Sequence, residues 1–142
     1  MIKLCNKKQY LVLQILNIIF PLIIGLIIYY LDGASIIVFD VLGIKTSPVF
    51  EHCSVLKFLR NHICDAIWAY CLFFSLNFIT KAHNKSLFIS IIFCIAIECF
   101  QKTAILAGTF DIIDIVLEII AIIIALSISL FFIKEKKHEN KT

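Results

Sequence analysis

Charge is the scarcest property of this chain. Only 16% of its 142 residues are Asp, Glu, Lys or Arg, while 61% are hydrophobic and the mean hydropathy is +1.01. Soluble domains run at about 25% charged and about 45–50% apolar. A chain this short cannot hide so much Ile, Leu and Phe in a water-soluble core, so lipid is its natural solvent. Breakers are also few, with four Gly and two Pro, which leaves long uninterrupted apolar runs. None of the six cysteines, Cys5, Cys53, Cys64, Cys71, Cys94 and Cys99, forms a C-x-x-C pair. A disulfide framework is not expected, although a Cys53–Cys64 bridge stays open as an alternative. There is no phosphate-binding Gly loop, and no Ser or Cys has a His and an acid in register for a nucleophilic triad. The net charge of +3 comes mostly from the two ends. It reads as membrane orientation, and nucleic acid is not expected as a partner.

What is present is four apolar stretches, at about 11–31, 62–80, 86–101 and 112–133. A spanning helix needs about 20 residues at a rise of about 1.5 Å each, so each stretch reaches across a bilayer or nearly so. The expected fold is all-α: one transmembrane domain over 1–142, an integral membrane four-helix bundle. Pro21 and Gly25 in the first span are tolerated in a membrane helix. A cleaved signal peptide is the competing reading of 11–31, but signal cores run about 7–15 residues and this one is longer. The break at 32–61 holds an apolar piece, 34–42, too short to cross. It is expected to lie at the interface or to tuck back. Tyr29 and Tyr30 suit an interfacial aromatic belt.

Cations orient the bundle. Four spans put both ends on one side, together with the 81–85 turn. That side carries Lys3, Lys7, Lys8, Lys81, Lys85, Lys134, Lys136, Lys137 and Lys141, against Lys45, Lys57, Arg60 and Lys102 on the other. The positive-inside rule then predicts cytoplasmic termini.

This topology gathers the acids. Asp65 falls just inside the second span, Glu98 near the end of the third, and Asp114 and Glu118 near the start of the fourth. All lie roughly 3–10 Å below the outer boundary, and the inner halves of these spans contain no acid. An ionised Asp costs about 2.5–3.5 kcal/mol at the centre of a spanning helix, so such residues are expected to face the bundle interior. Asp111, Asp114 and Glu118 share one helix face, as do Glu98 with Gln101, and Asn61 with Asp65 and Trp68. Arg60, Lys57 and Lys102 stand just above and are expected to pair with the acids. Asp65 and Asp114 are expected in first helical turns, where the dipole favours an anion; Glu98 falls in a last turn, where it does not. Glu98 is therefore expected either to hold a proton or to pair with Arg60. The expected polar pocket is Arg60, Asn61, Asp65, Trp68, Glu98, Gln101, Asp111, Asp114 and Glu118. Interhelical polar glue, at about 0.6 kcal/mol per hydrogen bond, is the bland alternative. His52, Cys53, His62 and Cys64 are metal-capable types whose spacing fits no zinc motif, and Glu98 with Asp114 could hold a cation through oxygen. No metal or cofactor is expected. No catalytic residue is assigned.

Two stretches carry a family likeness. ECFQKTAILAGTFDIIDIVLEIIA (98–121) resembles the signature of VanZ-like membrane proteins, in which a Glu-x-x-Gln leads through a short loop to an Asp opening the last helix; here these are Glu98, Gln101 and Asp114. FLRNHICDAIWAYCLFF (58–74) resembles the start of the preceding span, with Arg60, Asn61, Asp65 and Trp68 matching. The chain departs in two places. The loop reads Gly108-Thr109-Phe110-Asp111, where an Arg often stands before the Asp, and Glu118 and Ala121 stand near a usual Asn and Gly. The likeness implies a multi-pass protein of the bacterial cytoplasmic membrane, in a cell-envelope context linked to glycopeptide antibiotic resistance. Its expected ligand is then an envelope component or an antibiotic, amphiphilic in character. An enzyme acting on a lipid-linked substrate, with Glu98 as acid and Asp114 as base, remains an alternative, as does a proton- or ion-coupled transport component. Beyond membrane lipid, a second copy of the chain is a compatible partner, because four short helices enclose little volume.

Overall fold

The computed structural model describes residues 2–34, 36–50, 53–103 and 110–139, with side chains from Tyr10 to Phe132 within those ranges. His52, Gly108 and the last residues of the tail lie outside them. Helices account for nearly all of the described chain: α1 (Ile2–Asp32), α2 (Ile37–Val41), α3 (Ser54–Phe58), a π turn (Leu59–Ile63), α4 (Cys64–Thr80), α5 (His83–Lys102) and α6 (Ile112–Glu139). Among the described residues, four helices are long and apolar enough to cross a membrane: Tyr10–Asp32, Ser54–Thr80, His83–Lys102 and Ile112–Phe132.

The second of these starts earlier than residue 62. From Ser54 the chain runs through α3 and the π turn into α4 without leaving helical backbone. Asp65 therefore does not open a helix: the amides around it are already bonded within the turn before it. The dipole expected to favour its charge belongs to Ser54 instead. Asp114 does lie in the first turn of α6.

α4 is the hub. It packs on α1, α5 and α6, and α5 and α6 also pack on each other. The core is Ala69, Phe73 and Phe74 of α4, Cys94 of α5, and Ile122 and Ala125 of α6. The stripe of α5 turned to this core is Ser86, Ser90, Cys94 and Glu98, spaced by four and all buried, while Phe88, Ile92, Phe93 and Ile95 face outward. Lipid is as apolar as Leu, so helices here associate through small and polar contacts rather than by hiding hydrocarbon. Asn77 Nδ2 donates to Ser129 Oγ at 3.2 Å, Ser129 Oγ meets His83 Nδ1 at 3.3 Å, and Thr80 and Ser86 share a hydrogen bond of 2.8 Å. α1 joins through Tyr70 Oη, which donates to Asn17 Oδ1, and Cys71 Sγ, which donates to the Ile18 carbonyl. Lys81, at φ 53°, ends α4 in the left-handed conformation and sets the tight turn into α5.

Cys53 and Cys64 are free thiols, not a bridge. Cys64 is buried against α1, its Sγ directed at the Gly25 carbonyl. The segment after α1 folds back against the end of α1. Phe39 of α2 is buried and meets Tyr30 edge to face at 6.2 Å. The Val49 amide donates to the Leu31 carbonyl at 3.1 Å, and Thr46 Oγ1 to that of Gly33 at 3.2 Å. Gly33 has a φ of 74°, and the Pro48 backbone lies where its Cβ would be. Gly33→Ala is expected to cost more than about 1 kcal/mol, because both the backbone conformation and the space are denied. Reduced thermal stability of the solubilised protein is the readout, with Gly43→Ala, whose Cβ would meet open space, as the milder comparison.

Candidate functional site

The ends of α1 and α5, the π turn and the start of α6 meet at one end of the bundle. They enclose an open cavity of about 370 Å³ lined by Tyr29, Arg60, Asn61, His62, Asp65, Gln101, Asp111 and Asp114. The apolar core, with Phe73 and Ile122 each 0% exposed, lies between this end of the bundle and Asn77, Ser129 and His83 at the other.

The π turn sets the first wall. An i→i+5 turn widens the helix and redirects the side chains on it, and such turns concentrate at functional sites. Here it carries Arg60, Asn61 and His62. Arg60 Nη1 lies 2.5 Å from Asp32 Oδ2 at the end of α1, and Arg60 Nε donates to Asn61 Oδ1 at 3.0 Å. The His62 ring packs against Phe58 at 4.7 Å, and its Nδ1 lies 2.6 Å from Asp114 Oδ1.

The second wall is the start of α6. The Asp111 side chain accepts from the Ile113 amide at 2.9 Å, an N-terminal cap. Its own amide donates to Glu98 Oε2 at 3.3 Å, which pins the entry of α6 to the last turn of α5. Asp114 follows three residues later and faces His62.

Of the residues expected from sequence, Arg60, Asn61, Asp65, Gln101, Asp111 and Asp114 come together on the cavity wall. Glu98 and Glu118 do not reach it. They are 2% and 3% exposed and sit behind Asp111 and Asp114. Glu118 lies beside the Cys94 thiol, and its Oε2 has no hydrogen-bond partner among the described residues. Trp68 departs from its expected place. It is turned away from the cavity, 36% exposed, and packs on Phe93 of α5 at 5.9 Å. The three-residue step leaves Trp68 about 60° round the helix from Asp65, enough to carry the indole off the cavity wall and into the groove beside Phe93. The expected partners also change. Arg60 pairs with Asp32, not Glu98, and the Lys102 ammonium lies over the Phe110 ring at 5.2 Å.

Asp32, Tyr29 and His62 are the wall and support residues that sequence reasoning did not place in the pocket. Asp32 and Tyr29 close the first span at the depth where the other acids gather, and that shared depth was the available signal. Nothing in the spacing of His62 announces Asp114 as its partner.

The charge balance of the wall is acidic. Asp65, Asp111 and Asp114 face Arg60, whose charge is matched by Asp32, and His62. Asp32 is itself nearly buried. Arg60→Ala is expected to destabilise by about 1–3 kcal/mol, the cost of leaving a buried acceptor unpaired. The double variant Arg60→Ala/Asp32→Asn should recover part of this loss in the same unfolding assay. No protein-family model, curated protein or solved structure matches the chain.

Proposed function

We propose that this chain is a VanZ-like envelope protein of the bacterial cytoplasmic membrane, with both ends in the cytoplasm and the cavity facing outward. In this reading the cavity receives the polar head of an amphiphilic ligand, an envelope component or a glycopeptide-type antibiotic. The observation that carries it is the cavity itself. It is a polar concavity at one end of four apolar helices, walled by three Asp side chains together with Arg60, His62 and Gln101. A head group seated there leaves its tail alongside the exposed Ile and Phe surface of the helices. The excess of acids favours a head that carries positive charge. The uneven distribution of lysines supports the orientation, and Glu98, Gln101 and Asp114 support the family likeness.

A second reading is an enzyme acting on a lipid-linked substrate. The His62–Asp114 contact favours it, since a carboxylate-oriented imidazole is a common acid–base device. His62 then replaces Glu98 as the proton-transfer group, because Glu98 is engaged by the Asp111 amide behind the wall.

Asp65→Asn, Gln101→Ala and Asp114→Asn test the first reading. Each is expected to weaken binding of a cationic amphiphile to the purified protein by about tenfold, the equivalent of about 1.4 kcal/mol, at unchanged membrane abundance. Glycopeptide susceptibility of cells expressing these variants should change in parallel. Lower abundance with unchanged affinity would instead assign the acids to helix association. Product formation from a lipid-linked substrate, lost in His62→Ala, would favour the enzyme.

A further inference from the structure

We propose that His62, Asp111 and Asp114 bind a divalent metal cation at the cavity wall. The inference rests on reading the cavity as a binding site, and it names one ligand of that site. One ligand atom from each of the three residues lies within 4.8 Å of those from the other two. Bonds of about 2.0–2.2 Å to one ion place such atoms roughly 3 Å apart, so small side-chain adjustments close the set. The metal takes the place of the His62 Nδ1–Asp114 Oδ1 hydrogen bond, with a neutral imidazole keeping its one N–H on Nε2.

The surroundings are organised for this role. Asp111 Oδ1 is committed to the Ile113 amide, which fixes the carboxylate and leaves its second oxygen for the ion. Phe58 holds the imidazole plane. The donors come from two separate elements, the π turn and α6, so a bound ion ties the second span to the fourth. On the wall itself, Asp65, Asp111 and Asp114 stand against the Arg60 guanidinium, which Asp32 already matches, and a divalent ion is a compact way to offset carboxylates gathered in this way. One imidazole with carboxylate oxygens and no thiolate suits Zn²⁺, Mn²⁺ or Fe²⁺. Three protein ligands leave positions open to the cavity, where Asp65 or a ligand head can bind, the pattern of a reactive rather than a purely structural site.

Full-length protein in detergent, stripped with EDTA, is titrated with Co²⁺ and Mn²⁺. One equivalent should bind, with Co²⁺ giving ligand-field absorption in the visible. Asp114→Asn and His62→Ala should each weaken binding by at least about tenfold, whereas Cys99→Ser, at an exposed thiol, should not. His62→Cys guards against misfolded variants: a thiolate-to-Co²⁺ charge-transfer band absent from the protein with His62 appears if residue 62 is a ligand. Absence of that band, or metal binding unchanged in both His62→Ala and Asp114→Asn, overturns the proposal. Cationic amphiphile is titrated in parallel, with and without metal. Amphiphile binding without metal binding overturns the metal site alone, and metal binding without amphiphile binding overturns the head-group reading alone.

Discussion

Carboxylates cannot be left facing hydrocarbon. An ionised side chain near the middle of a bilayer is costly, and relief comes only from burial among polar partners or from reaching water. Each of the four long helices carries an acid, and Asp32, Asp65, Glu98, Asp114 and Glu118 meet at one end of the bundle. The rest follows. α4, α5 and α6 must be rotated so that Asp65, Glu98, Asp114 and Glu118 turn inward. The loops at that end must supply donors, as the Asp111 amide does for Glu98. The outward surfaces are left to Ile, Leu and Phe.

Water-soluble bundles hide hydrocarbon inside and show charge outside. Here the buried stripe of α5 is Ser86, Ser90, Cys94 and Glu98, and its large apolar residues point outward. The interior is small and polar at both ends, with Phe73, Phe74 and Ile122 filling the middle. Such a core is specified by close approach and hydrogen bonds, each modest in energy, and by the high cost of the alternatives. The π turn belongs to the same economy. It lets one continuous helix bring Arg60 to Asp32 and His62 to Asp114, two contacts to two different helices.

Much of this was legible in the sequence, for a simple reason. Span length and hydropathy depend on local composition, and counting residues from a span boundary gives depth. Depth placed Asp65, Gln101 and Asp114 in one layer. Azimuth is harder to read, because it depends on which neighbour a face meets. Trp68 shares a nominal helical face with Asp65, yet a modest rotation carries a large apolar ring into the groove beside Phe93. Pairing is harder still. Arg60 had several acids within reach, and the choice of Asp32 depends on α1 packing against α4. The π turn leaves no mark in residues 59–63 that periodicity detects, so the partnership of His62 with Asp114 could not be foreseen. The early start of the second helix at Ser54 was hidden by the polarity of Lys57, Arg60 and Asn61, although these residues are helical.

The stripe on α5 also bears on how this sequence can drift. Positions pointing at acyl chains accept exchange among Ile, Leu, Val and Phe with little consequence, since lipid conforms to any shape. The residues spaced by four on the inner side have no such freedom. A larger side chain at Ser86 or Ser90 would wedge α5 away from α4 and α6, and the displacement would travel along a rigid rod to Glu98. A substitution far from the cavity, near the opposite leaflet, would thereby loosen the latch that holds the mouth of α6 in place.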